Sequence, residues 1–208
     1  MSATIRVSRV LHGTTAEGPG IRSAVWVQGC SIRCSGCINP QLFSFDGGDE
    51  LAPESVVEEA QLSGAEGLTL LGGEPFDQPH QSAALARHAQ ANGLGVITFT
   101  GYAIEALQED VRAQGLLLAT DLLIDGPYEK DLAERQRALV GSTNQRFIHL
   151  SDRYRGYRPE IARNRIDLRI GADGTVEMAG FLNSDDLVTL TTHTSTRRVR
   201  RKGSGFRA

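Results

Sequence analysis

The stretch Ser23-Ala24-Val25-Trp26-Val27-Gln28 runs directly into Gly29-Cys30-Ser31-Ile32-Arg33-Cys34-Ser35-Gly36-Cys37. Its first half is a short apolar run rich in strand formers and reads as a buried β-strand. Its second half gathers three cysteines into eight residues, spaced C-x3-C-x2-C. A strand that ends on a chemically loaded loop is how an α/β sheet presents a site, because ligands bind beyond the carboxyl ends of the strands.

Downstream, strand and helix patterns alternate. Pro53 to Ser63 predicts a helix, with proline at its favoured first position and Val56, Val57 and Ala60 on one face. Gly67 to Leu71 predicts a second strand, Ala83 to Ala91 a helix, and Gly95 to Thr100 a third strand. Ala103 to Gln114 carries Ile104, Leu107 and Val111 at helical spacing. Asp121 to Asp125 predicts a fourth strand, Tyr128 to Leu139 a helix, and Arg146 to Leu150 a fifth strand. Repeated strand–helix units predict an α/β fold, a mostly parallel sheet curled into a full or partial barrel. Ser151 to Arg165 reads as loop. Asn164 to Ile170 and Thr175 to Phe181 flank Gly171-Ala172-Asp173-Gly174 and predict a hairpin. From Asn183 the chain turns polar and ends in a basic run from Arg197 to Arg207. The expected organisation is one domain over residues 1–182 and a disordered basic tail over 183–208.

Composition narrows the class. The chain has 208 residues, 40% hydrophobic and 23% charged, with a net charge of −3. That balance argues against a general nucleic-acid binder. No apolar run approaches the ~18 residues of a membrane span. The N-terminus lacks the long apolar core of a secretory signal. The expectation is a cytoplasmic protein with no membrane or nucleic-acid partner.

All three cysteines of the chain lie between positions 30 and 37. An odd, tightly clustered set makes a poor disulfide framework and points to metal or redox chemistry. Three thiolates in eight residues can wrap one face of an iron–sulfur cube and leave one iron open. A zinc site would need a fourth ligand, for which His12 is a candidate. Cys34 and Cys37 alone would make a C-x-x-C redox pair. A cluster used only for electron transfer normally takes four cysteines.

C-x3-C-x2-C after the first predicted strand resembles the signature of the radical S-adenosylmethionine (SAM) superfamily. The flanking segments Glu17-Gly18-Pro19-Gly20-Ile21-Arg22, Gln28-Gly29-Cys30 and Cys37-Ile38-Asn39-Pro40 resemble the glycyl-radical-enzyme activases, and among them the type that serves anaerobic ribonucleotide reductase. Many superfamily members carry an aromatic residue before the third cysteine; this chain carries Gly36, as the reductase activases do. The likeness continues through Gly72-Gly73-Glu74-Pro75, Phe99-Thr100-Gly101-Tyr102, Leu123 to Tyr128 and Gly141 to Arg146. It covers residues 5 to about 150.

The resemblance implies a partial (β/α) barrel of radical SAM type, with Cys30, Cys34 and Cys37 holding a [4Fe–4S] cluster. It implies SAM as the second cofactor. The methionine amino group of SAM would be held by Gly72, Gly73, Glu74 and Pro75. Gly36 and Asn39 border the cluster loop. Thr98 and Thr100 end the third strand, where a hydroxyl could meet the SAM carboxylate or ribose. Ser142 and Asn144 sit in a polar loop of the same kind, and Asp125 could face substrate or SAM. Arg22 would contact the cluster region or form a surface pair. His80, His88 and His149 show no partner pattern. The implied activity is reductive cleavage of SAM to a 5′-deoxyadenosyl radical, which makes a glycyl radical on a partner enzyme. An external one-electron reductant of flavodoxin or ferredoxin type would supply the electron. Two other readings stay open: a radical SAM modifier of a peptide or small metabolite, and an iron–sulfur or zinc-stabilised electron-transfer or interaction module.

Overall fold

The computed structural model describes residues 4–181. The tail expected from residue 183 lies outside the described residues. Four strands form the centre of the sheet: β2 (Arg22–Val27), β4 (Gly67–Gly72), β5 (Gly95–Phe99) and β6 (Leu122–Asp125), all parallel. Three more strands flank them antiparallel: β1 (Ile5–Thr14) on β2, β3 (Asp49–Leu51) on β1, and β7 (Arg146–His149) on β6. The order is β3-β1-β2-β4-β5-β6-β7, so the sheet stays open, with β3 and β7 at its edges. The helices are α1 (Pro53–Leu62), α2 (Pro79–Ala91), α3 (Ile104–Glu109) and α4 (Gln114–Leu118). None is long and apolar enough to cross a membrane. The fold is α/β with a parallel centre, as expected. The fifth predicted strand exists, but as the antiparallel β7.

Side chains alternate across a strand, and here the alternation divides the core in two. Val25, Val27, Leu68, Leu70, Val96 and Leu123 pack with Val56, Val57 and Ala60 of α1 and with Leu85, Ala86 and Ala89 of α2. Their neighbours Ala24, Trp26 and Leu71 point the other way and meet Leu11, Leu42 and Ala179. Ile97, Leu122 and Ile124 meet Ala138, Leu139 and Val140 on that same side. Helices therefore cover one face of the sheet, and loops and the C-terminal segment cover the other. Burial on both faces is why the central strands read as nearly continuous apolar runs.

Three elements depart from expectation. Residues 103–114 do not make one helix. α3 stops at Glu109, and the Asp110 side chain accepts the Arg112 backbone N–H at 2.9 Å. That local bond competes with the helix, and Val111 is left exposed. Residues 128–139 are not helical beyond a 3-10 turn at Lys130–Leu132. Glu134 instead gathers the N–H groups of Arg135, Gln136 and Arg137, and Ala138 and Leu139 dive into the core. The long strand β1 has no counterpart in the sequence reading. Register shifts on either side of its centre break its alternation.

The predicted hairpin forms as β8 (Ile166–Ile170) and β9 (Val176–Gly180), with Leu168 opposite Met178. It docks on β1 through polar contacts. Asp167 accepts from Thr14 Oγ1 and Thr15 N, Glu17 accepts from Gly180 N at 2.7 Å, and Arg169 reaches the His12 carbonyl. Residues 151–165 are turns, as expected.

Candidate active site

The loop after β2 and the segment after β4 are stitched together beyond the strand ends. Gly73 N donates to Val27 O at 2.9 Å, and Glu74 N donates to Gly29 O at 2.8 Å. A side chain at Gly73 would place its Cβ 2.1 Å from the Gly29 carbonyl. Gly73 is therefore needed first for the approach of the cysteine loop itself, and Gly72, with φ +101°, for the approach of Trp26 in β2.

Cys30, Cys34 and Cys37 line one cavity of about 140 Å³ at the carboxyl ends of β2, β4, β5 and β6. Asn39, Gly72, Gly73, Glu74 and Thr100 line it as well. So do Phe99, Gly101, Gly126, Tyr128 and Gln145 from the later strand ends. All three thiols are free. Burial pushes the Cys30 and Cys37 thiols above their ordinary pKa. A thiolate nucleophile or redox pair needs the opposite shift, whereas a bound metal deprotonates a thiol outright. Among the described residues, no three His, Cys, Asp or Glu side chains gather closely enough to hold a single metal ion. Three thiols sharing a cavity without converging on one point fit a polynuclear cluster better than a tetrahedral zinc. His12 is engaged elsewhere, with Ser23 Oγ at 2.8 Å and Glu59 at 3.1 Å.

Glu74 is fully buried, and desolvation pushes its carboxyl up to about 7. Three donors work against that shift: Phe76 N at 3.0 Å, Thr100 Oγ1 at 2.9 Å and Gly101 N at 2.9 Å. Glu74 thus ties the end of β5 to the end of β4. Pro75 is buried and opens a 3-10 turn, Pro75–Asp77, while its carbonyl accepts from Ser82 Oγ. Gly36 has φ +79°, and Tyr128 and Lys130 pack against it.

Other expected residues are engaged elsewhere. Thr98 lies on the helix-covered face, as its alternation with Ile97 requires, and its hydroxyl pairs with Thr120 Oγ1 at 2.8 Å. It does not line the cavity. Ser142 is fully buried and accepts from Glu129 N, so it supports the 128–145 loop. Asn144 donates to Pro127 O at 2.7 Å, and its Oδ1 is buried without a partner among the described residues. The Asp125 carboxylate is taken by Arg146 and Ile104 N rather than turned to the cavity. Arg22 neither nears the cysteines nor forms a surface pair. It is fully buried at the amino end of the sheet, donating to Thr69 Oγ1, the carbonyls of Leu68 and Gly95, and Tyr154 Oη.

Residues 16–148 match the family model described as the 4Fe-4S single cluster domain. The anaerobic ribonucleoside-triphosphate reductase-activating protein of Pasteurella multocida (strain Pm70) is 32% identical, over 62% of this chain and 87% of its own length. That of Enterobacteria phage T4 is also 32% identical, over 65% of this chain and 88% of its own. The pyruvate formate-lyase-activating enzyme of Clostridium pasteurianum is 33% identical, over 49% of this chain and 46% of its own. Three free thiols on one cavity fit a [4Fe–4S] cluster of this kind. The chain belongs to the 4Fe-4S single cluster domain family, within the radical SAM activating proteins, whose cofactors are a [4Fe–4S] cluster and SAM.

Proposed function

We propose that this chain makes a glycyl radical on a large partner enzyme, with an anaerobic ribonucleotide reductase as the first partner to test. The observation that carries this reading is the shared cavity of the three thiols and the Gly-Gly-Glu segment. A cluster held by Cys30, Cys34 and Cys37 and reduced by an external one-electron donor would supply the chemistry, reductive cleavage of SAM followed by hydrogen-atom abstraction from the target.

The protein's part is binding, orientation and exclusion of water. Cys30, Cys34 and Cys37 would hold three irons and leave the fourth for the amino and carboxylate groups of SAM. Gly72, Gly73 and Glu74 border the same space and suit the methionine amino group. Among the described residues Glu74 Oε2 accepts only from Gly101 N, which leaves it a lone pair for an ammonium donor. Thr100 and Asn39 offer further polar contacts, and Pro75 and Gly36 hold the backbones that present them. Gln145 and Tyr128 line the same cavity on the β6 side, and Asn144 steadies their loop through Pro127 O.

Ser31, Arg33, Ser35, Gly36 and Ile38 on the rim are exposed, a surface suited to a protein substrate. The same rim suits a reductant of flavodoxin or ferredoxin type, and the setting we propose is cytoplasmic. The test is to incubate the reconstituted chain, SAM, a reductant and an anaerobic reductase without oxygen and record the electron paramagnetic resonance of the reductase. A glycyl-radical doublet that requires SAM supports the reading. SAM consumption with no radical on the reductase, and a modified peptide or metabolite instead, would replace it.

A further inference from the structure

The 3-10 turn after β4 carries a second acid beside Glu74. Asp77 Oδ2 accepts the Ser31 backbone N–H at 2.6 Å, and Oδ1 accepts Ser31 Oγ at 3.0 Å. Tyr102 Oη donates to the same Oδ1 at 2.9 Å and lies 2.8 Å from Ser31 Oγ. Ser31 directly follows Cys30, and Tyr102 directly follows the Thr100-Gly101 pair that Glu74 holds. Asp77 therefore closes a ring of hydrogen bonds over three strand ends: those of β2, β4 and β5. One of these hydrogen bonds, from the Ser31 N–H, fixes the backbone beside a cysteine.

We propose that Asp77 is a positioning residue, with Tyr102 as its brace, that latches the first arm of the cysteine loop and so sets the thiol geometry before the cluster is loaded. The proposal rests on the cluster reading only for its purpose. Its geometry is a property of the chain alone. The loop between Cys30 and Cys37 has exposed residues and two left-handed positions, Arg33 (φ 54°) and Gly36 (φ 79°). A loop of that kind loses conformational entropy on ordering, and a latch at its base limits that loss before metal arrives.

The variants are Asp77→Ala, Asp77→Asn, Tyr102→Phe and Ser31→Ala, each in the full chain. The first readout needs no cluster: the rate at which iodoacetamide alkylates Cys30 in the metal-free protein, mapped by mass spectrometry. Asp77→Ala should raise that rate about tenfold, the factor that corresponds to ~1.4 kcal/mol of lost anchoring. Asp77→Asn keeps an oxygen for the Ser31 N–H and should rescue most of the difference. Ser31→Ala keeps the backbone bond and should sit near wild type, and Tyr102→Phe should fall between. The second readout is the rate at which a chelator strips iron from the reconstituted protein, which should rise in the same order. Circular dichroism melting of the metal-free variants separates a loosened latch from a damaged fold. Equal Cys30 alkylation in wild type and Asp77→Ala overturns the proposal. A wild-type chain that takes up no iron and sulfide overturns the cluster reading instead, while the alkylation series still decides the latch.

Discussion

Strand β4 and the β8–β9 hairpin are built from similar residues and use them in opposite ways. β4 buries almost everything it carries, Leu68 and Leu70 under the helices and Leu71 on the other face. The hairpin turns Ile166, Leu168, Ile170, Val176 and Met178 outward, and all five are exposed. Its inward side carries Asp167, Arg169 and Ala179, which meet Thr14, the His12 carbonyl and the inner core. The lesson is that alternation gives a strand its period and not its direction. Direction comes from the surface it meets, and β1 offers the hairpin polar groups. The division also follows the family match, which ends at residue 148.

The largest effect should come from Arg22, which joins two regions, the central sheet and the C-terminal segment that leads into the hairpin. Its guanidinium lies under the parallel strands and holds Tyr154 of the C-terminal segment. Arg22→Ala would leave the Leu68 and Gly95 carbonyls and the Thr69 hydroxyl short of a donor inside the core. We expect a loss of about 3 kcal/mol in urea unfolding. A loss below about 1 kcal/mol would mean that the two regions are not coupled through this residue.

Glu17 should come next. Burial pushes its carboxyl up to about 7, against the Gly180 N–H and Arg9, which favour the ionised form; nearby Asp167 adds to the rise. A carboxyl with a raised folded pKa stabilises fully below its ordinary value near 4.5, and that contribution is lost as the pH climbs through 7. The buried Oε2, unpaired among the described residues, agrees with a neutral acid. Hairpin docking should therefore weaken from pH 5 to pH 8, by on the order of 2 kcal/mol. Glu17→Gln keeps an acceptor for Gly180 N and should flatten the profile. An unchanged slope in that variant would remove Glu17 from the account.

The smallest effect should fall on the outward face. Met178→Ser should change unfolding free energy by no more than about 0.5 kcal/mol, as exposed positions do. A cost of about 2 kcal/mol would show that this apolar face is covered in solution.

The parallel centre was legible because burial on both faces writes itself as nearly continuous apolar runs, as in Val25 to Val27 and, broken only by Thr69, Leu68 to Leu71. The cysteine loop was legible because eight residues carry its whole pattern. β1 was not, since its irregular register hides its alternation. The 128–139 segment was misread because Glu134 satisfies three backbone N–H groups with one side chain, which no periodicity reports. Thr98 and Thr100 both looked like site residues, but only Thr100 lies beyond the last paired strand position on the open side. Asp77 carried no sequence signal of its own, and Tyr102 entered only as the last residue of the Phe99-Thr100-Gly101-Tyr102 likeness, with no role attached. Aspartate after Gly-Gly-Glu-Pro-Phe reads as helix-start chemistry until the fold brings Ser31 beside it.

The central claim is that Cys30, Cys34 and Cys37 together hold a cluster that cleaves SAM. The most direct test is to reconstitute the chain with iron and sulfide without oxygen, reduce it, add SAM, and quantify 5′-deoxyadenosine and methionine. Both products should form in equal amounts from wild type and from none of the three single Cys→Ala variants. A chain that takes up zinc and forms no cluster, or a stable cluster that leaves SAM intact with and without candidate partners, would contradict the account.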